Sequence, residues 1–131
     1  MLARLALGAL ALLALAYLAV GLRNVVLADR AERLAAPPDA TPVQVDEAER
    51  LLERARLLDP DTRPLLVEGA MLAAHGRERE GRALVERAVR REPDNVFAWG
   101  VLADVTREAD PERSRGAEAR RRELSPPVPP E

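Results

Sequence analysis

The chain opens on a long apolar run and then turns periodic. From Leu5 to Leu22 there are 18 consecutive residues without a charge. As a helix that run spans about 27 Å, at the lower end of what crosses a bilayer. Tyr17, near its far end, suits the headgroup level. Beyond Arg23, Leu27, Ala31 and Leu34 fall at i, i+4 and i+7, one stripe of an amphipathic helix. No breaker separates the two patterns. The apolar helix is therefore expected to leave the membrane and continue as the first helix of the soluble part, until Pro37-Pro38 forces the chain out of the α region. A cleaved signal peptide is the competing reading, with Arg4 as its basic start and a small-residue site at Ala19-Val20-Gly21 or Val26-Leu27-Ala28. The uncharged run is longer than such a peptide needs, which favours an uncleaved anchor.

The same alternation predicts five further helices. Thr41-Pro42-Val43-Gln44 combines an N-cap, a first-turn proline and a capping-box glutamine. Ala48, Leu51, Leu52, Ala55 and Leu58 then form an apolar face that ends at Asp59-Pro60. Thr62 or Asp61 caps a third helix through Leu65, Leu66, Gly69, Leu72 and Ala73, closed by Gly76. A fourth, over 77–91, turns Gly81, Leu84, Val85 and Ala88 inward and stops at Pro93-Asp94-Asn95. A fifth carries Val96, Trp99, Leu102, Ala103 and Thr106. Asp110-Pro111 starts a sixth that runs to about Leu124 with a poor apolar face (Ala117, Ala119, Leu124), as expected of a terminal unit wetted on one side. The closing Ser125-Pro126-Pro127-Val128-Pro129-Pro130-Glu131 predicts an extended tail.

Within this pattern lies an echo. Leu51-Leu52-Glu53-Arg54-Ala55 leads to Asp59-Pro60-Asp61, and 33 residues later Leu84-Val85-Glu86-Arg87-Ala88 leads to Glu92-Pro93-Asp94. A period of that size marks a helical repeat array. The unit over 62–95 resembles the tetratricopeptide repeat (TPR) family. Leu65 stands where the family often has Trp, Gly69 and Gly81 at its small positions, and Leu72 at a frequent Tyr. Val85 replaces the usual Phe, while Ala88 and Pro93 match. Ala48, Leu52, Ala55 and Pro60 carry the preceding unit, and Trp99, Leu102 and Ala103 the following one. The turn after Pro60 is one residue shorter than the family's. The resemblance covers roughly 41–124, or 23–124 when the first helix is counted as half of a pair. It implies an all-α fold: an N-terminal transmembrane helix continuing into a short TPR-like helical-hairpin solenoid of about three helix pairs. The expected division is an anchor at 1–22, a juxtamembrane helix and Pro-rich loop at 23–40, a helical domain at 41–124 and a tail at 125–131.

Composition supports helices over strands, since apolar residues make up 47% of the chain and aromatics only 2%. A core of Ala, Leu and Val suits close helix packing rather than sheets. The net charge of −2 gives no electrostatic case for nucleic acid, which demands a basic surface. With no cysteine, thiolate metal sites and disulfides are excluded. His75, the single histidine, sits at a helix end without companion ligands and reads as a solvent-facing or C-capping residue. Arg120-Arg121-Arg122 is diluted by Glu118 and Glu123 and reads as a solvated helix end. No metal, cofactor or catalytic constellation is expected, and the chain is expected not to be an enzyme.

What remains is a surface. In the family it resembles, the first helix of each pair lines a concave groove that takes a peptide or helix. The equivalent positions are Leu66, Ala70 and Ala73 in one pair, and Phe97, Gly100, Asp104 and Arg107 in the next. The alternative is that Leu66, Ala70 and Ala73 merely pack against the first helix pair. The expectation is a bacterial membrane-tethered adaptor or scaffold that binds another protein through a peptide or helical segment. The alternative function is an accessory subunit of a membrane enzyme or envelope assembly system, serving polysaccharide assembly or cytochrome maturation. The expected place is the inner membrane, with a single pass. Arg23, Arg30 and Arg33 pull the domain toward the cytoplasm by the basic-residue rule. The short basic start before the apolar run resembles an export signal, and the reading leans to the extracytoplasmic side. Oligomeric state is left open.

Overall fold

A computed structural model describes residues 2–35, 37, 39–56 and 61–125. Among them are six helices and no strand: α1 (Leu2–Ala35), α2 (Pro42–Arg56), α3 (Arg63–Ala74), α4 (Glu78–Arg91), α5 (Val96–Thr106) and α6 (Pro111–Leu124). The expected all-α fold, a long apolar helix followed by helical hairpins, is what the chain forms. Leu58, the Asp59-Pro60 turn, Pro38 and residues 126–131 of the Pro-rich tail lie outside the described residues.

α1 is one unbroken helix of 34 residues, about 51 Å long. Its first part is apolar all round, and Leu7, Leu10, Leu13, Tyr17 and Leu22 are all exposed. By length and composition, the helix over Leu7–Ala35 is sufficient to cross a membrane. From Asn24 onward one side becomes buried. The line against α2 is Asn24, Ala28, Ala31 and Ala35, with Leu27 and Leu34 partly buried beside it. The stripe expected at Leu27, Ala31 and Leu34 is thus centred on Ala31 and its neighbouring alanines, whose small side chains let α2 approach. The first hairpin consequently spans the boundary drawn at 40/41 in the sequence.

The helix ends behave as their residues dictate. Thr41 N–H donates to Gln44 Oε1 at 2.8 Å, and Gln44 N–H returns to Thr41 Oγ1 at 3.4 Å, a closed capping box. At the α3–α4 turn Gly76 takes φ +81°. Arg77 N–H then reaches Leu72 O at 2.8 Å and Gly76 N–H reaches Ala73 O at 3.3 Å, the paired bonds of a Schellman close. Asn95 and Asp110 cap α5 and α6 by accepting from Ala98 and Arg113 N–H. Thr62 does not cap α3. Its hydroxyl is buried without a partner, and Asp61 Oδ1 instead takes the Arg63 N–H at 3.0 Å.

The apolar faces close two joined cores. One gathers Ala31, Val45, Ala48, Leu52, Met71 and Leu72 between α1, α2 and α3. The other gathers Leu65, Leu66, Val85, Ala98, Leu102 and Ala117 between α3, α4, α5 and α6. α3 belongs to both, so it couples the hairpins. α6 contributes Ala117 alone as a buried residue and ends the stack with a polar outer face.

Successive helices pair, and in addition α1 touches α3 and α3 touches α5. No such backbone approach joins α2 to α4 or α4 to α6 among the described residues. The odd helices therefore crowd together as the inner layer, and the even helices splay on the outer one. That asymmetry curves the array toward the odd side.

Candidate interaction groove

On the inner layer the chain leaves a trough that runs along α3. Its first section, a cleft of about 280 Å³, lies between Leu66, Val67, Ala70 and Met71 of α3, Phe97 and Val101 of α5, and Glu32 and Ala35 at the end of α1. The second section, about 530 Å³, continues over Ala73, Ala74 and Gly76 and is bounded by Glu78 and by Asp104, Val105, Arg107 and Glu108. Ala70 and Ala74 line both sections, so the two are one continuous feature. Its floor is made of small residues, which leave room for another backbone to lie close.

Six of the seven residues expected to line a groove are in it. Leu66 is only 2% exposed and belongs to the second core. It packs as structure and shows the trough little beyond its edge. Ala70 and Ala73 form the floor. Phe97 is 63% exposed and stands on the rim as a large, uncovered apolar side chain. Asp104 and Arg107 form an ion pair on the far wall. Gly100 points elsewhere: a methyl group built on it would lie 3.4 Å from Arg121 Cδ of α6. Val101 takes the place expected of Gly100: on α5 Phe97, Val101, Asp104 and Val105 border the trough, and Arg107 and Glu108 continue its wall in the turn after the helix. Of the expected positions 97, 100, 104 and 107, Gly100 alone turns toward α6. Glu32 and Ala35 were missed because their place depends on how far α1 runs beside α3. Glu78 and Glu108 were also missed. Glu78 opens α4 and Glu108 lies in the turn after α5, where periodicity gives no direction.

The wall where α1 ends is fixed by His75. Its Nε2 lies 3.1 Å from the Ala35 carbonyl, one of the oxygens a helix C-terminus leaves without an internal partner. The ring nitrogen donates to that acceptor. The capping role expected for His75 is therefore played across helices, on α1 rather than on its own helix alone. Arg63 adds a second tie, with Nη2 at 3.3 Å from Asp29 Oδ1.

A second concave region, about 470 Å³, lies on the α2–α3 side among Asp46, Glu49, Arg50, Glu53, Arg56 and Glu68. Glu68 is buried, with Oε2 at 2.9 Å from Arg56 Nη1. The approach is close in distance but off-axis, since that oxygen has no partner by hydrogen-bond geometry. Burial pushes the Glu68 carboxyl up, with Arg56 opposing and Glu49 and Glu53 adding to the rise. Nearby, Arg77 bonds Glu80 and Glu49. The bond to Glu80, then that to Glu49, holds the guanidinium above its usual range, while Glu80 is held low by Arg77. Arg56–Glu68 and Arg77–Glu49 are ion pairs between neighbouring hairpins, while Arg77–Glu80 is local to the start of α4. Among the described residues no group of three or more His, Cys, Asp or Glu is placed to hold a metal ion. The chain matches no protein-family model, no curated protein and no solved structure.

Proposed function

We propose that this chain is a non-enzymatic, single-pass membrane-tethered adaptor, a TPR-like array whose inner trough binds a helical or extended segment of another protein. The observation that carries the reading is the trough itself, where a curved inner layer leaves Phe97 uncovered above a floor of alanines. An exposed aromatic beside a small-residue floor suits helix-in-groove recognition. Residues 1–22 serve as the anchor in the inner membrane of a bacterial cell, with the domain on the extracytoplasmic side.

In-cell photocrosslinking with a reactive group placed at Phe97, followed by detergent solubilisation, is expected to trap one recurring partner. The same group placed at exposed Arg54 on the outer layer is expected to trap none of it. Equal capture from both positions, or none from Phe97, overturns the adaptor reading. A reporter fused after Glu131 that is active only in the cytoplasm overturns the orientation without touching the rest.

A further inference from the structure

The two ends of the trough differ in chemistry. At the Phe97 end the walls are Leu66, Val67, Val101 and the aromatic ring, and the carboxylate there, Glu32, is paired with Arg63 at 4.0 Å. At the other end stand Glu78, Asp104 and Glu108, and the single cation there, Arg107, is already held by Asp104. Glu78 and Glu108 make no ion pair among the described residues. Two carboxylates on opposite walls therefore face the same open channel without a counter-charge. Residues 66–74 of α3 span the distance between the two ends, about 12 Å or roughly two helical turns.

From this we infer that the occupant of the trough is an amphipathic segment of another protein. It sets an apolar side chain against Phe97 and an arginine or lysine, about two turns away, between Glu78 and Glu108. This rests on the adaptor reading and narrows it. The apolar contact supplies the anchor, because exposed ion pairs contribute little affinity. The acidic end supplies polarity: it fixes which way round the segment lies and rejects acidic sequences. An acidic terminal peptide is excluded on the same grounds.

The test uses the full chain in detergent micelles and a random peptide library displayed on phage. Selected peptides are expected to carry an apolar residue and a basic one about seven positions apart. Phe97→Ala is expected to abolish selection. The double variant Glu78→Gln/Glu108→Gln is expected to keep the apolar requirement while losing the basic one. For a selected peptide made synthetically, exchanging its arginine for glutamate should weaken binding roughly three- to tenfold in wild type, as two exposed pairs allow, and leave the double variant unaffected. Peptides that need Phe97 but show no basic preference overturn this inference and leave the adaptor reading standing. No selection, or selection indifferent to Phe97, overturns both. A sedimentation mass that falls on Phe97→Ala identifies a second copy as the occupant and also overturns the inference.

Discussion

Gly69 and Gly81 face each other across the α3–α4 crossing with no room for a side chain between them. A methyl group on Gly69 would stand 2.7 Å from the Gly81 carbonyl oxygen and 2.5 Å from Val85 Cγ2. One on Gly81 would meet the Gly69 carbonyl and, at 2.8 Å, the Ala73 amide nitrogen. The neighbours are mostly backbone, which cannot rotate aside.

Gly81→Ala should accordingly destabilise the domain by about 1–3 kcal/mol through overpacking. Each kcal/mol corresponds to about 4–8 °C in the unfolding midpoint of a domain this small. Gly116 supplies the internal control, as nothing lies within 4 Å of a methyl group placed there. Gly116→Ala in α6 should stabilise by about 0.5–1 kcal/mol through helix propensity. Thermal unfolding followed by circular dichroism reads both, and a stable Gly81→Ala would sink the packing account.

Burial and the carboxylates of Glu49 and Glu53 raise the Glu68 carboxyl above its ordinary 4.5, against the pull of Arg56. The folded state then holds the proton more tightly than the unfolded chain. Stability contributed by Glu68 is greatest when the group is protonated and is lost as pH rises from about the ordinary value through the raised one. Glu68→Gln, neutral at every pH, should remove this dependence. Urea unfolding of both proteins across the acidic range is expected to show wild type losing ground to the variant as pH increases. Parallel curves would contradict the assignment.

The caps separate two kinds of polar residue at a helix start. Asn95 accepts from Ala98 N–H at 3.1 Å and donates to Glu92 at 2.7 Å. Asn95→Ala should cost about 1 kcal/mol and disturb Trp99, whose indole N–H bonds the Pro93 carbonyl in the same turn. A shift in the emission of this single tryptophan reports it. Thr62 has no cap bond and a buried hydroxyl, so Thr62→Val should be neutral or mildly stabilising. The opposite ranking would mean the capping assignments are exchanged.

Asn24 is 2% exposed, and neither its amide nitrogen nor its oxygen has a partner. Such a group carries its desolvation cost uncompensated, and an apolar residue of similar shape avoids it. Asn24→Leu should raise stability by about 1 kcal/mol, measured as a higher unfolding midpoint in detergent. A loss of that size instead would require a bonding partner from outside the chain.

Much of this architecture was legible because its signals are local. Capping boxes, first-turn prolines, Gly76 and the 3.6 period each act over a few residues, and α2 to α6 form close to where those signals place them. Gly69 and Gly81 were legible as small positions, though not as partners. What escaped depends on how helices meet. Asn24 and Ala28 lie on α1 where composition suggests a membrane exit, and only the approach of α2 buries them. Glu68 carries no signal of its own in the sequence, and only the packing of α2 on α3 brings Arg56 beside it. On α5, Gly100 and Val101 are consecutive residues about 100° apart, and the sequence pattern alone does not say which of them faces the trough. That choice is made by α6, through Arg121.

The continuity of α1 has a mechanical consequence. On the proposed anchoring through residues 1–22, the continuous α1 leaves no joint between anchor and first hairpin, and His75 and Arg63 lock the far end of the same rod. The azimuth of the trough about the membrane normal is therefore set by counting residues. Each residue added or removed ahead of Asn24 turns the trough by about 100° and shifts it by about 1.5 Å. A protein standing beside this one in the membrane would meet the trough in one phase of insertion and the outer layer in another.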